Sequence, residues 1–100
     1  RLHRLRALLN ERLEEEWTVA RMAAVLNVSA GHLHLLTKRH RNQTPLDILR
    51  ELRMDRARSL LQSTHLTLDN IATQVGYRSA YAFSDAFRRH TGIRPGAYRG

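Results

Sequence analysis

Leu2, Leu5, Leu8, Leu9 and Leu13 recur at the three- and four-residue steps of an α-helix, with Arg4, Arg6, Glu11 and Arg12 between them. This stripe predicts one amphipathic helix that frays near Glu14 to Glu16. Thr18 fits the capping place of the next helix, because its hydroxyl can accept from amides of the following turn. Val19 to Leu26 then supplies Met22, Ala23 and Leu26 as a buried stripe. Asn27 tolerates the left-handed backbone of a tight exit, and Ser29 is placed to cap a third helix running to about His40.

Asn42-Gln43-Thr44-Pro45 interrupts the period, and Pro45 suits the first turn of a new helix, where its missing amide proton costs nothing. Leu46, Leu49, Leu52 or Arg53, Ala57, Leu60 and Leu61 carry that helix to about Ser63, a rod roughly 25 Å long at 1.5 Å per residue. Thr67 repeats the capping role of Thr18. Leu68 to Val75, the turn Gly76-Tyr77-Arg78 and Ser79 to His90 form a second helix pair, which Gly92 ends before Pro95 opens a last short helix containing Tyr98. No segment alternates with a period of two, and there is no glycine-rich phosphate loop. The chain reads as all-α with about seven helices: a helix-turn-helix subdomain over 1–44, a long linker helix over 45–63, and a second helix-turn-helix subdomain over 64–100.

The two subdomains are copies of one unit. TKRHRNQTPLDIL, from Thr37, returns fifty residues later as FRRHTGIRPGAYR, from Phe87, with Arg39/Arg89, His40/His90 and Pro45/Pro95 in register. Upstream, Thr18, Met22, Ala23 and Leu26 match Thr67, Ile71, Ala72 and Val75 at a spacing of forty-nine, so the second copy holds one extra residue, and a turn between helices can absorb it. Two closely crossing helices need a small residue in the first and a turn residue four positions on. Ala23 with Asn27, and Ala72 with Gly76, meet both demands. Leu33 and Leu36, or Phe83 and Phe87, would pin the second helix against the first and leave its opposite face free to enter a major groove.

Charge points the same way. The net +8 comes from 17 Lys and Arg against 9 Asp and Glu, and both halves are basic, nine against five in residues 1–50 and eight against four in residues 51–100. An excess of this kind favours a polyanionic partner. The absence of cysteine removes disulfides, thiolate zinc sites and cysteine nucleophiles and fits a reducing cytoplasm. No apolar run is long enough for a bilayer, so no membrane role is expected. The first residue is Arg1, which suggests a fragment of a longer protein with a missing sensor or dimerisation domain.

HLHLLTKRH, TPLDILRELRMDRARSLLQ, LDNIATQVGYRS and FSDAFRRHTGIRPGAYR, from about Trp17 to Arg99, resemble the DNA-binding region of AraC/XylS-type transcription regulators. The resemblance implies sequence-specific binding of double-stranded DNA by a bacterial regulator, with recognition helices at about 30–38 and 80–88 in successive major grooves. RNA polymerase is a further partner it suggests. The family's base-facing positions fall on Gly31, His34 and Leu35, and on Ala80, Tyr81, Ser84 and Asp85. Leu35 and Asp85 stand where the family often has arginine, and Thr37 where it often has a core aromatic. Readout by the first helix would then rest on His34 with apolar contact from Leu35 to a thymine methyl. Asp85 would either accept from a cytosine amino group or, the favoured alternative, pair with Arg88 or Arg89.

The clusters Lys38-Arg39-His40-Arg41 and Arg88-Arg89-His90 end the two recognition helices. Cations there complement a helix C-terminus in any protein. Their equivalent placement beside a reading face favours phosphate clamping, with Lys38, Arg41, Arg78 and Arg88 as the contacts. Six histidines raise the question of a metal, but His32 and His34 lie on different helix faces with no set of carboxylates, so no metal or cofactor is expected. Ser84 and Asp85 are adjacent rather than poised against a histidine, and nothing marks an enzyme. The competing reading is a basic helical protein-interaction module. Trp17 reads as a packing anchor rather than a base-stacking platform.

Overall fold

The computed structural model describes residues 1–100 and holds seven helices and no strand: α1 (Leu2–Glu11), α2 (Val19–Val25), α3 (Ala30–Arg39), α4 (Pro45–Ser63), α5 (Leu68–Gln74), α6 (Ala80–Thr91) and α7 (Pro95–Arg99). None is long and apolar enough to cross a membrane. Hydroxyl side chains start five of them, Thr44 of α4 among them. Thr18 Oγ1 accepts from the Arg21 amide at 3.1 Å, Ser29 Oγ from His32 at 3.0 Å, Thr67 Oγ1 from Asn70 at 3.1 Å and Ser79 Oγ from Ala82 at 3.0 Å. Each satisfies an amide that has no partner within its own helix, a contribution of about 1 kcal/mol.

The two helix-turn-helix hinges close in the same way. Asn27 has φ 57° and Gly76 has φ 88°. Around them the Val28 amide donates to Ala23 O at 3.0 Å and the Tyr77 amide to Ala72 O at 2.8 Å, while Asn27 N and Gly76 N reach Ala24 O and Thr73 O at 3.0 and 3.2 Å. Both are Schellman turns. The extra residue of the second copy lies where the repeat predicts, between Gly76 and the cap Ser79, where Tyr77 and Arg78 face the single Val28 of the first copy.

Packing divides the chain into two units, Arg1–Leu52 and Arg53–Gly100. In the first, Leu5 and Leu9 of α1, Leu13, Trp17, Met22, Ala23, Leu26 and Leu33 bury against Ile48, Leu49 and Leu52 of α4. In the second, Met54, Ala57 and Leu61 of α4 bury with Ile71, Ala72, Val75, Phe83, Ala86 and Phe87. The division falls inside α4, and this corrects the single stripe expected there. Its buried positions follow one period to Leu52 and a differently phased one from Met54. Leu46 is consequently exposed, Leu60 and Arg53 are half-buried, and Ile48 and Met54 join the cores. A second correction concerns α3. Leu36 is only half-buried, and the residue under the helix is Thr37, fully buried in register with Phe87, its hydroxyl donating to His34 O at 3.2 Å.

Several polar arrangements hold the units' edges. Trp17 is buried and its Nε1 donates to Arg12 O at 2.9 Å, while the Arg21 guanidinium lies 4.1 Å over its ring, pairs with Glu15 and donates to Glu16 O. Trp17 is thus a packing anchor. At the start of α4, Thr44 and Asp47 form a reciprocal capping box, the Thr44 amide donating to Asp47 Oδ2 at 2.9 Å and the Asp47 amide to Thr44 Oγ1 at 3.1 Å. At its end Arg99 donates from three nitrogens to three carbonyls, Nε to Leu61 at 3.2 Å, Nη1 to Leu66 at 2.6 Å and Nη2 to Thr64 at 3.2 Å. A cation therefore serves the carbonyls at and just beyond the helix C-terminus, where the helix dipole favours it. Beside it, Tyr98 stacks edge-on against Phe87 at 5.4 Å, and its hydroxyl accepts from Gln62.

Candidate nucleic-acid interface

The second helix of each hinge buries one side and leaves the other open. In α3, burying Leu33 and Thr37 leaves Gly31, His34, Leu35 and Lys38 exposed, residues three and four apart that share a face. In α6, burying Phe83, Ala86 and Phe87 leaves Tyr81, 79% exposed, and Arg88, with Ala80, Ser84 and Asp85 half-buried beside them. The residues expected to face bases therefore lie along the open side of each helix, those of α6 partly covered.

On α3, His34 Nδ1 lies 3.0 Å from Ala30 O. A carbonyl can only accept, so Nδ1 is the donor of this contact, and Nε2 is left for an outside partner. Leu35 is 54% exposed, an uncovered apolar group suited to a methyl contact. A Cβ built on Gly31 would meet nothing within 4 Å. The chain's own packing does not ask for glycine there, although glycine weakens a helix; close approach by an external surface would.

On α6, Asp85 Oδ2 pairs with Arg89 Nη2 at 3.1 Å, one turn on, the alternative favoured over a cytosine contact. Ser84 Oγ accepts from Arg94 Nη1 at 3.0 Å. Arg94 belongs to no group the sequence reading singled out. The signal that finds it is the repeat itself, which puts Arg94 at the place of Thr44 in the first copy.

The cation set divides. Lys38 and Arg88, in the last turns of their helices, and Arg78, between α5 and α6, are exposed with no carboxylate at ion-pair distance. Arg41 has one: its Nη2 is 3.4 Å from Glu51 Oε1. Glu51, also unremarked in the sequence, takes Gln43 Nε2 at 3.0 Å and approaches Arg6 at 3.6 Å. Arg41 and Asn42 have left-handed backbones, φ 61° and 54°, which turn the chain out of α3. The Thr44 amide holds the Asp47 carboxyl below its ordinary range, the hydrogen bond and charge of Arg21 do the same for Glu15, and burial lowers the pKa of Arg53.

Comparison with known proteins follows this geometry. Residues 22–100 match the profile of a helix-turn-helix domain. The chain is 34% identical over 91 residues to the raffinose operon transcriptional regulatory protein RafR of Pediococcus pentosaceus, covering 91% of this chain and 33% of RafR. It thus spans about a third of that relative's length. Among solved structures it is similar to a transcriptional regulator with an AraC-type DNA-binding domain from Chromobacterium violaceum, at 32% identity and a TM-score of 0.90, covering 98% of this chain and 88% of the other. It is also similar to the DNA-binding domain of the global transcriptional factor AdpA in complex with a target DNA, at 31% identity and a TM-score of 0.89, again covering 98% and 88%.

Proposed function

The chain belongs to the AraC-type helix-turn-helix family, and we propose that it is the sequence-specific DNA-binding part of a bacterial transcription regulator, α3 and α6 entering successive major grooves of one duplex. The observation that carries this reading is the duplicated unit. Two capped helix pairs with matching Schellman turns each leave a reading face flanked by cations without carboxylate partners, and a domain of the same fold is known with its target DNA. In this reading Gly31, His34, Leu35, Ala80, Tyr81 and Ser84 meet base edges, with Asp85 beside them held by Arg89, while Lys38, Arg78 and Arg88 meet phosphates and fix the register. Arg41 contributes less, because Glu51 already answers its charge. The division of the chain into two helix-turn-helix subdomains about the linker helix 45–63 belongs to the same proposal. So do a sensor or dimerisation domain elsewhere in the whole protein, contact with RNA polymerase, and work in the cytoplasm.

Two unlike reading helices in one chain do what a dimer does on a palindrome, so the domain binds as a monomer to an asymmetric site with footprints centred about 10 base pairs apart. Selection of bound sequences from a random duplex pool, followed by footprinting, tests this. An enriched asymmetric sequence protected in two segments is expected. Equal affinity for selected and scrambled duplexes, or two chains per site, would refute it.

A further inference from the structure

We propose that Arg94 is a phosphate-contacting residue of the second unit and that Ser84 is the side chain that positions it. The proposal rests on the DNA-binding reading above and changes the role of one residue in it, since Ser84 no longer reads a base.

The argument begins with a departure from local helix chemistry. Arg94 is the N-cap of α7, in register with Thr44, the N-cap of α4. Thr44 satisfies an amide of its helix; Arg94 makes no side-chain cap. Arginine is a poor choice at this position, where an oxygen acceptor is preferred and a cation faces the positive end of the helix. A residue that contradicts its local environment without a compensating gain in stability is a candidate for function.

The side chain's course points to that function. Instead of folding over α7, the guanidinium reaches back ten positions to Ser84 Oγ, half-buried on the face of α6 that also carries Arg88 one turn on. Arg94 itself is exposed, with no carboxylate at ion-pair distance. The bond to Ser84 engages one of five guanidinium donors and limits the freedom of a long side chain. Those left fit the paired oxygens of a phosphate, the geometry in which arginine binds strongly. The Ser84 hydroxyl accepts from Arg94 and in this role orients the guanidinium.

The test uses a duplex selected by the wild-type chain, with affinity measured across salt concentrations and on single-base variants of the site. Arg94→Ala should weaken binding about tenfold on all variants alike and flatten the slope of log K against log salt by about 1. Arg94→Ser restores a capping hydroxyl, so it should melt no lower than wild type yet lose the same affinity, which separates the contact from a structural role. Ser84→Ala should weaken binding in the wild-type background and add nothing in the Arg94→Ala background, and Ser84→Thr should bind as wild type. Wild-type affinity and salt slope in Arg94→Ala, or an altered base preference in Ser84→Ala that persists without Arg94, would overturn the proposal while leaving the DNA-binding reading intact. Absence of salt-dependent duplex binding by the wild-type chain would overturn both.

Discussion

Gly76→Val isolates the turn on which the orientation of α6 depends. Gly76 has φ 88°, a region where a β-branched side chain collides with the backbone. If the turn holds, the strain costs about 1–3 kcal/mol. If it yields, the amide bonds from Gly76 to Thr73 O and from Tyr77 to Ala72 O are given up, at roughly 1 kcal/mol each. The contact of Tyr77 with Phe83, at 6.0 Å between ring centroids, loosens with them. Both routes lead to a loss of about 2 kcal/mol. Urea melts should show it, with Gln74→Ala, an exposed change on the same helix, as the control. Gly76→Asn should recover much of the loss, because Asn27 holds the equivalent turn at φ 57°. Duplex affinity should fall in Gly76→Val although no DNA-facing group is removed. A melt within about 0.5 kcal/mol of wild type, with unchanged affinity, would refute the assignment of Gly76 as the turn residue.

Arg99→Met keeps the aliphatic stem and removes three donors from partly buried carbonyls. It should cost about 2–4 kcal/mol in denaturant melts, with Arg99→Lys recovering a fraction. Asp47→Ala should cost about 0.5–1 kcal/mol at pH 7. The folded carboxyl titrates below its ordinary value, so its contribution is present above about pH 3.8 and fades as pH falls through the folded pKa; melts should converge with wild type in acid. Gly31→Ala should stabilise α3 by up to about 1 kcal/mol while weakening duplex binding, seen by melts and shift assays on one preparation. Lys38→Ala should lower affinity for all duplexes alike and reduce the salt slope by about 1, whereas His34→Ala should cost about 1–3 kcal/mol in discrimination between sites.

The helix starts and hinges are legible in the sequence because adjacent residues decide them. Thr18, Ser29, Thr67 and Ser79 cap whatever follows, and Asn27 and Gly76 allow the turn wherever the chain goes next. The capping box of α4 is equally local, carried by Thr44 and Asp47 in T-P-L-D. The buried positions of α4 were not legible as one stripe, since the helix contributes to two cores and its period changes phase between Leu52 and Met54. The reading faces follow from the cores, being what remains when Leu33, Thr37, Phe83 and Phe87 are buried. The direction of a long cation does not follow. Arg41 turns to Glu51, Arg94 to Ser84 and Arg99 to three carbonyls, choices set by partners far along the chain.

That distance has a consequence during synthesis. The first unit has all its core residues once Leu52 is free, whereas the carbonyls of Leu61, Thr64 and Leu66 wait for Arg99, 33 to 38 residues beyond them. Chains emerge at roughly 5–20 residues per second, so the first unit has a few seconds to fold before the second can close. Each half then meets its own hydrophobic partners before those of its copy. Two similar sequences in one chain invite exchange of equivalent helices, and the late arrival of Arg99 separates the two folding events in time.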